Sequence, residues 1–168
     1  MPAGSKESLL RAFARAIRHE TYYLVGPDLG TDDICMGWIL DEFGRAVGRH
    51  AARFLVERGA VVVAVADSHG ALVNPGGLDV AALEREKADG GAVSDHAGGM
   101  ACPRDALLDV DGDIWIPAAR PDAIREADVP RLRAKMVLPG ANIPMSAGAE
   151  RALAARGVLV VPDFIANA

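Results

Sequence analysis

The stretch AVVVAVAD, residues 60–67, constrains the fold more than any other part of the chain. A strand with one wet face alternates apolar and polar residues. This run does not alternate, and it is rich in valine. It reads as a strand buried on both faces, the kind found in parallel sheets covered by helices. It is also far too short to span a bilayer. The rest of the second half supplies what such a strand needs. LDVAALEREKADG (78–90) and SAGAERALAARG (146–157) carry helical spacing, the second with Gly157 as its stop. DIWIPA (113–118), AKMVLPG (134–140) and VLVVPD (158–163) read as further strands. Strands alternating with helices over such short spans predict a mostly parallel sheet in a three-layer, Rossmann-like α/β sandwich.

The first third is patterned differently. SKESLLRAFARAI (5–17) has the spacing of a capped helix, TYYLV (21–25) that of a short strand, and GPDLGT (26–31) that of a loop. From Asp32 onward, Met36, Leu40, Phe43, Val47, Ala51 and Phe54 recur every three or four residues as far as Gly59. One fused helix of roughly 27 residues is the expectation, with Gly44 and Gly48 each costing about 1 kcal/mol relative to alanine. Within it lies DEFGRAVGRHAARF (41–54), which superficially resembles a dinucleotide-binding turn. That fingerprint is G-x-G-x-x-G between a strand and a helix. Aligned on Gly48 as its last glycine, the first two positions hold Phe43 and Arg45, and no strand is expected before them.

The bulk properties narrow the function. A chain of 168 residues suits one domain, 1–168, with 1–58 as a largely helical lead-in. The net charge of -5 and the scattered arginines exclude a nucleic-acid or anionic-membrane footprint. Nothing at the N-terminus has the pattern of a signal peptide. Cys35 and Cys102 lack partners at ligand spacing, as do His19, His50, His69 and His96. Reduced thiols, no metal site and a cytoplasmic setting are expected. Only Lys6, Lys87 and Lys135 supply amines.

Several motifs in one order give a specific resemblance. YYLVGPDLGTDDICMGWILDEFGR (22–45), VGRHAARFLVERGAVVVAVADSHGALVNPGGLDVAAL (47–83), DGDIWIPAARPDAI (111–124), AKMVLPGANIPMSAGAERAL (134–153) and GVLVVPDFIANA (157–168) together resemble the glutamate/leucine/phenylalanine/valine dehydrogenase family. The likeness covers the chain from about Thr21 onward. MGWILDEF and the spacing in PGANIP tilt it toward the glutamate branch. Members deaminate an L-amino acid oxidatively, passing hydride to NAD or NADP. The resemblance makes Asp28 the proton donor and acceptor and places Thr31 near the nicotinamide. It puts Asp67, with Ser68 beside it, at the adenosine ribose. Ala118 and Ala119 become the strand end under the cofactor, Asn142 falls on the nicotinamide side, and Gly48 is what remains of the phosphate turn.

The residues themselves support part of this. Asp67 ends an apolar strand, where an acid binds ribose hydroxyls and repels a 2′-phosphate, so NAD is favoured. The same Asp could instead cap a turn before Gly70. Ala118 and Asn142 lie just past strand ends, where open α/β sheets bind ligands. Asp28, taken alone, is a turn former.

The chain also departs from the family's pattern. The family's two-lysine substrate motif has no counterpart around Lys6, Lys87 or Lys135. The family separates its acidic-aromatic helix from the Gly-Arg-His-Ala-Ala helix by a long stretch, and here the two are joined. The resemblance therefore implies a truncated, internally deleted form, with the first Rossmann strand and the glycine turn missing. Tyr22–Val25 is one candidate to fill the vacant place. The expected function is that of an amino-acid (glutamate) dehydrogenase-like protein. The alternative is a non-catalytic nucleotide sensor, or a regulatory partner subunit of a full-length dehydrogenase. A homo-oligomer, or a complex with such a dehydrogenase, is expected, with an amino acid or nucleotide as ligand.

Overall fold

The computed structural model describes residues 33–37, 47–118 and 121–166. Asp28, Thr31 and Ala119 lie outside these residues, as do the expected helix 5–17 and the expected strand 21–25.

A seven-stranded sheet organises the chain. Its strands are β1 (Asp33–Gly37), β2 (Val61–Ala66), β3 (Ala71–Val73), β4 (Met100–Cys102), β5 (Ile114–Pro117), β6 (Met136–Val137) and β7 (Leu159–Val160). The spatial order is β4-β3-β2-β1-β5-β6-β7. Strands β2, β1, β5, β6 and β7 pair in parallel, and β3 and β4 extend one edge antiparallel. Among the described residues the α-helices are α1 (Val47–Glu57), α2 (Val80–Ala88), α3 (Ala147–Ala155) and the short α4 (Asp163–Ala166).

The centre of the sheet corrects the sequence expectation. Asp33–Gly37 lies inside the segment expected to be one long helix, yet it forms the middle strand. Ile34 stands in register with Val62 on one side and Ile114 on the other. The first strand is therefore present and the sheet has no gap for Tyr22–Val25 to fill. Periodicity alone does not separate a short buried strand from a piece of buried helix. Here pairing on both edges decides, because it satisfies the backbone of a segment that has strands on either side. Among the described residues the helix spans Val47–Glu57.

The remaining elements follow local chemistry. Asp79 caps α2 by accepting from the Ala82 N–H, and Ser146 caps α3 by accepting from the Ala149 N–H. Gly59 ends α1 at φ 85°, a left-handed conformation that disfavours residues with a Cβ. Side chains divide between the two faces of the sheet. Ile114 and Ile116 join Val62, Val65, Ala52, Leu55 and Leu83 under α1 and α2. Trp115 and Val137 join Val63, Ala64, Leu132, Ala149 and Leu153 on the opposite face, under α3. This is the three-layer α/β sandwich expected from the all-apolar run.

Candidate functional site at the carboxyl edge of the sheet

Strand order places the site. The chain leaves β1 toward β2, β3 and β4, then returns to β5 on the other side of β1. The order reverses between β1 and β5. In open α/β sheets the crevice outside the carboxyl ends of strands at such a reversal is where ligands bind. β1 ends at Gly37, and α1 (Val47–Glu57), in which Gly48 is buried, is the next described element. A strand therefore does precede the glycine segment, contrary to expectation.

The floor of the crevice is built by β5 and β6. Pro117 ends β5, and its carbonyl accepts from the N–H groups of both Gly140 and Ala141, each at 3.0 Å. The loop after β6 is thereby drawn across the end of β5. It brings exposed Asn142 to the same edge as buried Ala118. These two expected residues are close neighbours in the fold although 24 positions separate them in the chain.

Asp67 stands at the end of β2, but its carboxylate faces inward and is 0% exposed. Its own N–H donates to the Gly70 carbonyl, closing a tight turn between β2 and β3. Oδ1 accepts from the N–H groups of His69 (2.8 Å) and Gly70 (3.2 Å). Oδ2 accepts from the Val93 N–H (2.9 Å) and from Lys87 Nζ (2.7 Å). Burial by itself raises the carboxyl pKa. The Lys87 ammonium and the Val93 and His69 N–H groups together outweigh it, so the net shift is downward. Of the two roles the sequence left open, turn capping is the one these bonds fulfil. What the turn exposes instead is Ser68 and His69, with Ser68 Oγ 3.2 Å from His69 Nδ1.

Sequence reasoning missed two residues. Lys87 reaches Asp67 from α2, and nothing local announces that pairing. Asp163 binds the loop that carries Asn142: its Oδ2 accepts from the Ile143 N–H at 2.7 Å, and its Oδ1 accepts from the Phe164 N–H at 2.8 Å. An acid at the start of a short helical turn, just after a proline, was the available signal. Of the two lysines described, Lys87 serves Asp67, and Lys135 pairs with Asp113 at the opposite, amino end of the strands. Cys102 in β4 is a free thiol whose pKa burial pushes up.

Comparisons with known proteins agree with this architecture. The sequence model of the Glutamate/Leucine/Phenylalanine/Valine dehydrogenase family matches residues 43–168. The chain is 44% identical over 123 residues to a glutamate dehydrogenase of Thermotoga maritima, which covers 73% of this chain and 30% of that protein. It is 30% identical to an NADP(+)-dependent glutamate dehydrogenase of Pyrobaculum calidifontis, over 96% of this chain and 54% of the relative. That match runs for 227 residues, more than the 168 present here, so the relative carries residues without a counterpart in this chain. Among solved structures, the hetero-hexameric glutamate dehydrogenase of Thermus thermophilus in its Leu-bound form superposes with a TM-score of 0.73 at 26% identity, covering 97% of this chain and 35% of that one. The chain spans about 30% of the length of the first curated relatives it matches. With the sheet, its switch point and the sequence match in accord, the chain belongs to the glutamate/leucine/phenylalanine/valine dehydrogenase family.

Proposed function

We propose that this chain is the dinucleotide-binding portion of an amino-acid dehydrogenase-like protein, with NAD or NADP lying across the carboxyl ends of β1, β2, β5 and β6. The observation that carries this is the order reversal between β1 and β5, floored by the Pro117–Gly140–Ala141 contact. The residues there fit a dinucleotide. Ala118 and Gly140 are small, so backbone forms much of the floor, and a flat ring can lie close to it. Ser68 and His69 offer hydrogen-bonding groups at the end of β2. The expectation of NAD over NADP rested on an open Asp67 carboxylate. With Lys87 against that carboxylate, its charge no longer sets the preference, and both cofactors belong to the reading.

When bound, the nicotinamide supplies the hydride acceptor for an L-amino acid. The family resemblance assigns proton transfer to Asp28, the nicotinamide side to Thr31 and Asn142, and the strand end under the cofactor to Ala118 and Ala119. Gly48, in the first turn of α1, is assigned to the pyrophosphate side, where a Cβ-free residue admits close approach. A cytoplasmic setting and an oligomeric assembly go with this reading.

A second reading has its own support: Lys87 is committed to the buried Asp67 carboxylate and Lys135 pairs with Asp113 at the amino end of the strands, so neither described lysine is presented to a substrate in the crevice. It makes the chain a nucleotide-sensing or regulatory partner of a full-length dehydrogenase. Calorimetric titration with NAD, NADP and ADP, paired with an assay for glutamate-dependent NAD(P)H formation, separates the possibilities. Binding with turnover supports the enzyme. Binding without turnover fits the dinucleotide-binding portion by itself or a nucleotide sensor. Absence of binding by all three removes the dinucleotide reading and the sensor, and co-purification with a full-length dehydrogenase is then what supports the partner.

A further inference from the structure

Asp122 and Ile143 are the described non-glycine residues in the left-handed region, at φ 53° and 49°. For a β-branched residue such as Ile143 this conformation is strained by about 1–3 kcal/mol and persists only where its surroundings hold it. The two residues are joined, since the Asp122 N–H donates to the Ile143 carbonyl at 3.1 Å. Beside this bond, the Ile124 N–H donates to the Pro144 carbonyl at 3.0 Å. On the other side, the carboxylate of Asp163, the first residue of α4, takes the Ile143 N–H on Oδ2 and the Phe164 N–H on Oδ1. Asn142 sits between this clasp and the Gly140–Ala141 amides fixed on Pro117.

We infer that Asp163 is the positioning residue for the nicotinamide-side loop. Its carboxylate holds Ile143 left-handed and thereby sets where Asn142 stands over the end of β5. This rests on the dinucleotide reading above and adds a residue to which neither the sequence nor the family resemblance assigned a role. Strain concentrated beside a ligand site, and over-determined by three chain segments, is how proteins preorganise a binding loop. The bond is charge-assisted and short, so it is among the stronger ones available for the purpose.

The clasp makes a specific claim about four variants of the full chain: Asp163→Ala, Asp163→Asn, Ile143→Gly and the double variant Asp163→Ala/Ile143→Gly. Glycine takes up positive φ without strain, so Asp163 should become dispensable once residue 143 is glycine. Calorimetry with NAD and, separately, ADP is the first readout. Asp163→Ala is expected to weaken NAD about tenfold and leave ADP, which lacks the nicotinamide half, within twofold. Asp163→Asn, which keeps an acceptor oxygen, is expected to recover most of the loss. In the Ile143→Gly background the Asp163→Ala change is expected to cost less than threefold. Equal weakening of NAD and ADP, or an Asp163→Ala effect undiminished by glycine at 143, overturns the inference. If the wild-type chain binds neither nucleotide, the dinucleotide reading fails by itself. The clasp is then judged on thermal melts of the same variants. A smaller loss of Tm from Asp163→Ala in the glycine background supports it, and an equal loss overturns it.

Discussion

Asp67 shows how one residue can be legible in position and illegible in role. Its place at the end of an apolar strand is plain from AVVVAVAD. Its partners are not, because Lys87 and the Val93 N–H come from 20 and 26 residues further on and arrive only when α2 packs. The arrangement predicts its own energetics. Lys87→Met leaves a carboxylate that is 0% exposed with three N–H donors and no cation, and is expected to lower stability by about 3 kcal/mol in denaturant unfolding. Acid has a defined sign as well. The folded-state pKa of Asp67 is depressed, so its stabilisation is fully present above the ordinary carboxylate range and is lost as pH falls through the depressed value. Unfolding free energy is thus expected to fall below about pH 4 in the wild type. It is expected to fall less steeply in Asp67→Asn, whose amide does not titrate.

Elements were legible where they are long enough to hold a period. α2 and α3 were legible from helical spacing, the second with Gly157 as its stop; the structure adds the caps Asp79 and Ser146, and Gly90 and Gly157 take φ 86° and 78°. The strands β3 and β4, three residues each, are too short to hold a period and went unread. β1 was misread because DICMG fits a helical stripe as readily as a central strand, and only its two neighbours decide the matter. Two measurements follow at this scale. Ile34→Pro removes an N–H from a strand paired on both edges and is expected to prevent folding, as read by circular dichroism; a chain folded as well as wild type contradicts the central strand. Leu83→Ala and Leu153→Ala empty sites on opposite faces of the sheet, and each is expected to cost about 3 kcal/mol. Lying in separate layers, they are expected to add to within about 0.5 kcal/mol in the double variant.

At the scale of the whole molecule, an apolar run with no wet face dictated helices on both sides of a mostly parallel sheet. A sheet of that kind has a ligand edge wherever its strand order reverses. Five parallel strands, an antiparallel extension at β3 and β4, and a reversal between β1 and β5 give this chain one such edge among its described residues. Asp67, Ser68, Ala118 and Asn142 come from three separate segments and converge on it, with Asp67 turned inward to hold the turn that presents Ser68 and His69. The most direct test maps where a dinucleotide binds. Backbone amide shifts of the labelled chain, followed during titration with NAD and with NADP, are expected to move saturably at Ser68–Gly70, Ala118 and Gly140–Ile143. Those at Asp111–Asp113 and Lys135, at the amino end of the strands, are expected to stay still. Saturable shifts confined to the amino end, or none with either nucleotide, would contradict the account.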